Sequence, residues 1–339
     1  VSIAFDATYS VGRNLSGVGV YSRRLMFGLA AAHPEERFDF CYRSHRLIRS
    51  FRDSLPSNAH RRLLRGAPSS DIFHALNQRV DERARRTVAT FHDLFVLTGE
   101  YSTPEFRTRF AAQARQAAAQ SDLIIAVSQF TASQVESLLA VNADRIRVVP
   151  HGVDPPLRIT VPPFENLILS VGAIQTRKNT ARLVRAFERT PPGWKLVLAG
   201  AADGYGAAEE LAAVEASSRR GDIRVAGYVT EVELEGLYAR ASVFAFPSLD
   251  EGFGMPVLDA MARGVAVLTS DRSAMPEVAG DAALLVDPGN VDAIADGLVR
   301  LTTDPVLRDQ LVTRGLERAK QFSWDRAVRE TWAVYRELV

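Results

Sequence analysis

At 339 residues the chain exceeds the size at which one hydrophobic core stops growing, and 47% hydrophobic with 24% charged residues is ordinary globular usage, which excludes disorder and points to two domains. No apolar run approaches the ~20 residues of a spanning helix, no charged leader precedes "VSIAFDA", and the single Cys41 can form no internal disulfide, so the sequence predicts a soluble cytoplasmic protein without redox chemistry. The net charge of +1 hides a division: residues 1–150 carry 20 Arg and no Lys against 14 acids (+6), the remainder 21 basic against 26 acidic residues (−5), so the first half suits an anionic partner.

In chain order, short apolar runs bounded by turn residues predict strands at 2–7, 38–43, 71–76, 87–92, 122–128 and 145–150. Segments of helical period lie between most of them, at 18–32, 103–120 and 130–140, the last opening with Ser128 as N-cap. The stretch "PHGVDPPLRITVPP" (150–163) has five prolines and no period and reads as a linker. Beyond it the alternation restarts, with strands predicted at 166–172, 194–200, 222–228, 242–247, 265–270 and 282–287. Alternating strands and helices predict an α/β protein of two doubly wound parallel sheets facing across a cleft. The expected division is 1–155 and 156–322, with a final helix at 323–339 crossing back to the first domain.

Ligands of open parallel sheets sit outside the carboxyl ends of the strands, so chemistry is sought just after each strand. "SGVGVYSRRL" (16–25) follows the first strand, and Gly17 and Gly19 would let backbone approach a ligand at a helix start. The long loop and the missing third glycine argue against a dinucleotide fingerprint. "FHDL" (91–94) puts His92 and Asp93 at a strand end, where His92 is either a cleft residue or a structural group; His74 and His151 have the same standing. "GAIQTRKN" (172–179) follows a strand and opens a helix. Arg177 and Lys178 beside free helix amides would make a diphosphate site, or else a solvated first turn.

"SLDEGFGMPVLDAM" (248–261) also follows a strand. Glu251 lies in a turn, Gly252 and Gly254 allow close backbone approach, Pro256 suits a first helical turn, and Val257 and Met261 fall on its buried side. Asp259 stands in the next turn. Carboxylates only accept hydrogen bonds, so two of them beside a phosphate site would attract sugar hydroxyls; the alternative is a capping acid plus a solvated helix acid. They lie on one loop and its own helix, unlike a glycosidase pair, and the chain has no Asp-x-Asp element or histidine neighbour for a metal. The basic amphipathic segment 42–65, with Leu47, Ile48, Phe51 and Leu55 among arginines, could lie on anionic lipid or form a crossover helix with its arginines in water.

On these residues, and on "VGAIQTRKNTARLVRAF", the stretch from "AGYVTEVELEGLYARA" through "LLVDP", and "FSWDRAVRETWAVYREL", the chain resembles the retaining glycosyltransferases of family 4, which have the GT-B fold. The resemblance covers nearly the whole chain and is densest in the second half. It implies that Arg177 and Lys178 grip the donor diphosphate, Glu251 contacts donor-sugar hydroxyls and Asp259 holds the nucleotide ribose. It also implies that Gly252, Phe253, Gly254 and Met255 line the donor, that Gly17 and Gly19 belong to a loop closing over the reaction centre, and that His92 sits next to the donor sugar. Asp259 departs from the family's usual Glu by one methylene. No covalent nucleophile is evident, and the resemblance implies front-face transfer with retention, the leaving diphosphate helping to take the acceptor's proton. The expected donor is GDP-mannose, with no cofactor and no metal. The expected acceptor is a glycan or lipid-linked intermediate of surface polysaccharide, with no nucleic-acid partner and peripheral contact at the inner face of the membrane. A UDP-sugar donor and a nucleotide-sugar epimerase are the alternatives.

Overall fold

The computed structural model describes residues 1–12, 14–157 and 164–339. The chain divides into two compact units: Val1–Thr98, Pro104–Gly152 and Phe322–Val339 form one, Gly99–Thr103 and Val153–Gln321 the other. Gly99–Thr103 and residues 153–155 thus group with the second unit, although the sequence assigns them to 1–155. Of the expected linker, 150–157 is neither helix nor strand, and 158–163 lies outside the described residues.

The first unit is built on seven parallel strands: β1 (Ser2–Asp6), β2 (Arg37–Tyr42), β3 (Ala59–Leu63), β4 (Ile72–Ala75), β5 (Thr87–Phe91), β6 (Leu123–Ala126) and β7 (Ile146–Val148), in the order β3-β2-β1-β4-β5-β6-β7. The central strands are almost wholly apolar because helices cover both faces; β4, β5 and β6 are buried along their whole length. Helix Gly17–Ala32 starts at Ser16, whose side chain accepts the Gly19 amide, and helix Gln129–Leu139 starts at Ser128, which accepts the Thr131 amide. The last helix, Trp324–Arg336, is capped by Ser323 and puts Ala327, Val328, Val334 and Tyr335 into the core of this unit with Leu25, Leu29 and Phe40. Gly28 permits that contact, since a Cβ there would stand 2.6 Å from a Val328 methyl.

The basic segment 42–65 departs from the expectation of one amphipathic helix. Its helix covers only Ser44–Ser50, and residues 59–63 are the edge strand β3. Leu47 and Leu55 pack on the core, whereas Ile48 and Phe51 are 83% and 68% exposed.

The second unit has six parallel strands: β8 (Glu165–Val171), β9 (Lys195–Ala199), β10 (Ile223–Gly227), β11 (Ala241–Phe246), β12 (Ala266–Ser270) and β13 (Ala283–Val286), in the order β10-β9-β8-β11-β12-β13. Its core joins Leu196, Leu198, Val243 and Leu268 of the sheet to Leu183, Phe187, Ile294 and Leu298 of the helices. In each unit the first strand lies inside the sheet, so the strand order reverses between β1 and β4 and between β8 and β11. The carboxyl ends at such a reversal are where doubly wound folds take ligands.

Candidate active site

In the second unit, β8 leads into a tight turn, Thr176–Lys178, and then Asn179, whose φ of 62° redirects the chain into helix Thr180–Phe187. Arg177 and Lys178 therefore precede the α-helix, one turn earlier than the sequence suggests. Buried Asn179 fixes this corner by donating to the carbonyls of Pro247 (2.9 Å) and Pro288 (2.7 Å), tying it to the loops that follow β11 and β13.

Glu251 arrives from the loop after β11 and lies between the two cations. Its Oε1 accepts from Lys178 Nζ and from Ser248 Oγ, both at 2.6 Å, and its Oε2 stands 2.8 Å from Arg177 Nη1. Burial alone would push this carboxyl up; the charges of Arg177 and Lys178 and the bonds from Lys178 and Ser248 outweigh it and hold the pKa down at about 2. The Lys178 ammonium also sits 4.5 Å from the centre of the Phe246 ring. The backbone of Glu251 is held too, its N–H donating to Ser273 Oγ at 3.1 Å and its carbonyl accepting from the Ala274 N–H at 3.2 Å. Arg177 and Lys178 thus place two cations in a largely dry corner, where an oligophosphate would find charge-assisted donors.

Phe253 is buried and Gly254, with φ of 102°, starts helix Met255–Ala262, with Pro256 in the first turn and Val257 and Met261 fully buried. The φ of 102° is a left-handed conformation that favours glycine at 254, and a Cβ there would also have to push the Met275 methyl aside. Gly252 is buried in the same loop. Asp259, one turn into that helix, belongs to a second ion cluster: Arg263 Nη1 donates to its Oδ1 at 3.2 Å, and Arg263 in turn holds Glu235 on helix Glu231–Arg240. Loss of surrounding water pushes the Asp259 carboxyl up to about 6; Arg263 opposes the rise, and Asp154 and Glu235 add to it.

The remaining candidates lie in the first unit. Gly17 is exposed at the start of its helix. Gly19 is buried, and a Cβ there would come 2.8 Å from the Tyr9 carbonyl, so the fold itself requires this glycine. His92, just past β5, is 6% exposed; its Nε2 lies 2.9 Å from the Leu76 carbonyl and must therefore donate, leaving Nδ1 as the acceptor. The ring stacks on His151 at 5.3 Å, and Tyr21 meets both rings edge-on. Tyr21 also bonds Thr90 (2.9 Å), Thr90 bonds His74 Nε2 (2.8 Å), and His74 Nδ1 meets Tyr335 Oη at 2.6 Å. Burial lowers His92 to about 4; burial and the neighbouring His92 lower His74 to about 3. Burial also pushes the Cys41 thiol up to about 12, far from a nucleophile's range. Among the described residues no group of three or more His, Cys, Asp or Glu is arranged to hold a metal ion, and no helix is long and apolar enough to cross a membrane.

Sequence reasoning finds Arg177, Lys178 and Glu251, which the structure brings together, and misses Ser248, Ser273, Arg263 and Glu235. The i,i+4 spacing of Asp259 and Arg263 was available as a signal. Nothing in the sequence links Glu235 or Ser273 to either acid.

Two doubly wound units with a cationic strand-end site define the class to which the chain belongs, the glycosyltransferases. Residues 159–318 match the family model for glycosyl transferases group 1 and residues 15–156 that for glycosyltransferase family 4. The chain is 31% identical to O-antigen chain mannosyltransferase B of Escherichia coli, across 98% of this chain and 99% of that one, and it is a member of that family. It is likewise 31% identical to the MMP alpha-(1->4)-mannosyltransferase of Mycolicibacterium hassiacum, over 68% of this chain and 57% of that one. The fold matches a sucrose-phosphate synthase of Thermosynechococcus elongatus (TM-score 0.80, 21% identity, 99% and 98% covered) and Anabaena HepE in complex with UDP-glucose (TM-score 0.75, 14% identity, 99% of each). The architecture is therefore that of GT-B glycosyltransferases.

Proposed function

We propose that the chain transfers mannose from GDP-mannose, with retention of anomeric configuration, to a hydroxyl of a glycan or lipid-linked intermediate of surface polysaccharide. The observation that carries this reading is Glu251 buried between Arg177 and Lys178 at the strand ends of the unit matched by the group 1 model. The mannosyltransferase relatives support the choice of sugar.

In this mechanism the donor diphosphate replaces Glu251 as the main counter-charge of Arg177 and Lys178. Those two cations then stabilise the charge that grows on the leaving diphosphate as the sugar becomes oxocarbenium-like, the electrostatic contribution that dominates such sites. Glu251, its pKa held low, stays an acceptor for donor-sugar hydroxyls. Asp259 accepts from the ribose, and the backbone of Gly252, Phe253, Gly254 and Met255 lines the donor. For Gly17 and Gly19 the proposal keeps a role in the loop that covers the donor, and for His92, with Nδ1 as acceptor, a role toward the donor sugar. The acceptor's proton passes to the leaving diphosphate. The reading needs no metal, because Arg177 and Lys178 supply the positive charge. We place the protein in the cytoplasm, with the exposed Ile48 and Phe51 beside Arg49 and Arg52 supporting peripheral contact with anionic lipid at the inner face.

A panel of GDP, UDP and ADP with their common sugars, read by thermal shift and then by turnover with candidate acceptors, tests the donor. GDP-mannose should give the largest shift and an acceptor-dependent product with the α-anomer kept. Stabilisation by UDP-sugars alone would reassign the base, and acceptor-independent release of an isomerised sugar would replace transfer by epimerisation.

A further inference from the structure

Arg263 occupies the end of helix Met255–Ala262 with its side chain only 10% exposed, and all three nitrogens of its planar fork meet partners. Nε donates to Glu235 Oε1 at 2.8 Å, Nη2 pairs with the same oxygen, and Nη1 donates to the Asp259 backbone carbonyl (3.1 Å) and to Asp259 Oδ1 (3.2 Å). Its guanidinium lies 5.2 Å from the centre of the Tyr238 ring, which belongs to the same helix as Glu235.

A buried arginine–glutamate pair is weak evidence of stabilisation, because the cost of stripping water from both charges cancels most of their attraction. What it does supply is direction. The Glu235 side chain is 6% exposed and that of Asp259 33%, so the network runs from a dry anchor to a carboxylate that is partly shielded from water. Arg263 spends its Nε and both Nη nitrogens on Glu235 and Asp259. Asp259 has one oxygen engaged and its other available to vicinal hydroxyls, which are donors that a correctly turned carboxylate can accept.

We infer that Arg263, anchored by Glu235, is a positioning residue that sets the Asp259 carboxylate for the ribose hydroxyls of the donor nucleotide, an inference that rests on the reading of Asp259 as the ribose contact. Two contacts from one nitrogen to the backbone and side chain of the same residue fix the Asp259 rotamer against its own helix. A lysine at 263 would keep the charge and lose the fork.

The test measures affinity of the full chain for GDP and UDP and for their 2′,3′-dideoxy forms, in wild type and in Asp259→Asn, Glu235→Gln and Arg263→Lys. Hydrogen bonds to a charged acceptor predict roughly 10-fold or greater preference of wild type for the ribose form. Asp259→Asn should reduce that preference. Glu235→Gln and Arg263→Lys should each cut it about 5-fold, raising KM for the donor while kcat changes less than about 2-fold, and Glu235→Gln should add nothing in the Asp259→Asn background. A purely structural pair would lower the melting temperature and leave the preference alone. If wild type discriminates and both partner variants discriminate as well as it does, the positioning role is wrong and the ribose contact stands. If wild type does not discriminate, or Asp259→Asn keeps the full preference, the ribose contact is wrong and this inference falls with it.

Discussion

Both units gather side chains around the carboxyl ends of their central strands, and they do so with opposite materials. The first fills the position with neutral rings: His92, His151 and Tyr21 in mutual contact, linked through Thr90 to His74 and Tyr335. The second fills it with ions, Glu251 between Arg177 and Lys178 and, one helical turn on, Asp259 with Arg263 and Glu235. The same framework thus supports one end that resists being charged and another that is already charged before any donor arrives. In the ionic corner Arg177 and Lys178 are already in place for a diphosphate, which displaces Glu251 as their counter-charge. A neutral ring cluster gains from packing and a few satisfied hydrogen bonds, and loses if protons enter.

Acid should separate the two most strongly. His74 and His92 bind protons near pH 3 and 4 when folded but near 6.5 when unfolded, so the stability they contribute is complete above pH 6.5 and drains away as pH falls toward 4. With the slope rising toward ~1.4 kcal/mol per pH unit for each ring as the unfolded chain protonates, the first unit should lose about 3 kcal/mol between pH 6.5 and 5. Glu251 behaves differently: with a folded pKa of about 2, its contribution is intact above the ordinary carboxylate range and fails only as pH drops from about 4.5 toward 2. Asp259, raised to about 6, adds a component of the other sign, present at low pH and lost as pH rises through 6. Hydrogen exchange at pH 7 and 5, read peptide by peptide, should show protection falling around β4 and β5 and holding around β8 and β11. Equal losses in both would erase the contrast.

Next in size, Lys178→Ala should cut turnover by about 10²- to 10³-fold, as removal of a single preorganised charge stabiliser does elsewhere, while exchange in the first unit stays as in wild type. Initial rates with the donor identified by the panel decide it, and wild-type turnover would remove Lys178 from the mechanism.

Tyr335→Phe deletes the hydroxyl that bonds His74 across 261 residues of sequence. Leaving that buried ring nitrogen unmatched should cost ~1–3 kcal/mol in denaturant unfolding, without altering donor affinity. The smallest effect concerns backbone shape: Ala140 ends helix Gln129–Leu139 with φ of 52°, so Ala140→Gly should raise stability by up to about 1 kcal/mol. Gly254→Ala in the second unit should do the reverse, because both φ and the Met275 methyl oppose it.

Twelve of the thirteen strands among the described residues are legible in the sequence because runs such as "DLIIAVS" and "SVFAFP" are buried on both faces and carry unbroken apolar stretches. The missing strand, β3, reads "AHRRL"; it lies at the sheet edge, where only alternate residues turn inward and Arg61 spends its length reaching the Ser50 carbonyl. The site divides in the same way. Arg177, Lys178 and Glu251 were visible because each follows a strand, and position after a strand is a local property. Ser273, which takes up φ of 54° and holds the Glu251 amide, and Glu235, which reaches Arg263 from another helix, act through tertiary contact alone. The sequence offers His74, His92 and His151 only as three separate candidates, since no pattern of spacing predicts that His74 and Tyr335 meet.

The contribution of helix Trp324–Arg336 to the first core also bears on biogenesis. About 170 residues separate Gly152 from Phe322, so a ribosome adding 5–20 residues per second finishes the first unit only roughly 10–30 s after its earlier strands have emerged. Throughout that interval Leu25, Leu29 and the groove at Gly28 wait uncovered, and a nascent chain held in that state is the one a chaperone, or a neighbouring copy, would meet.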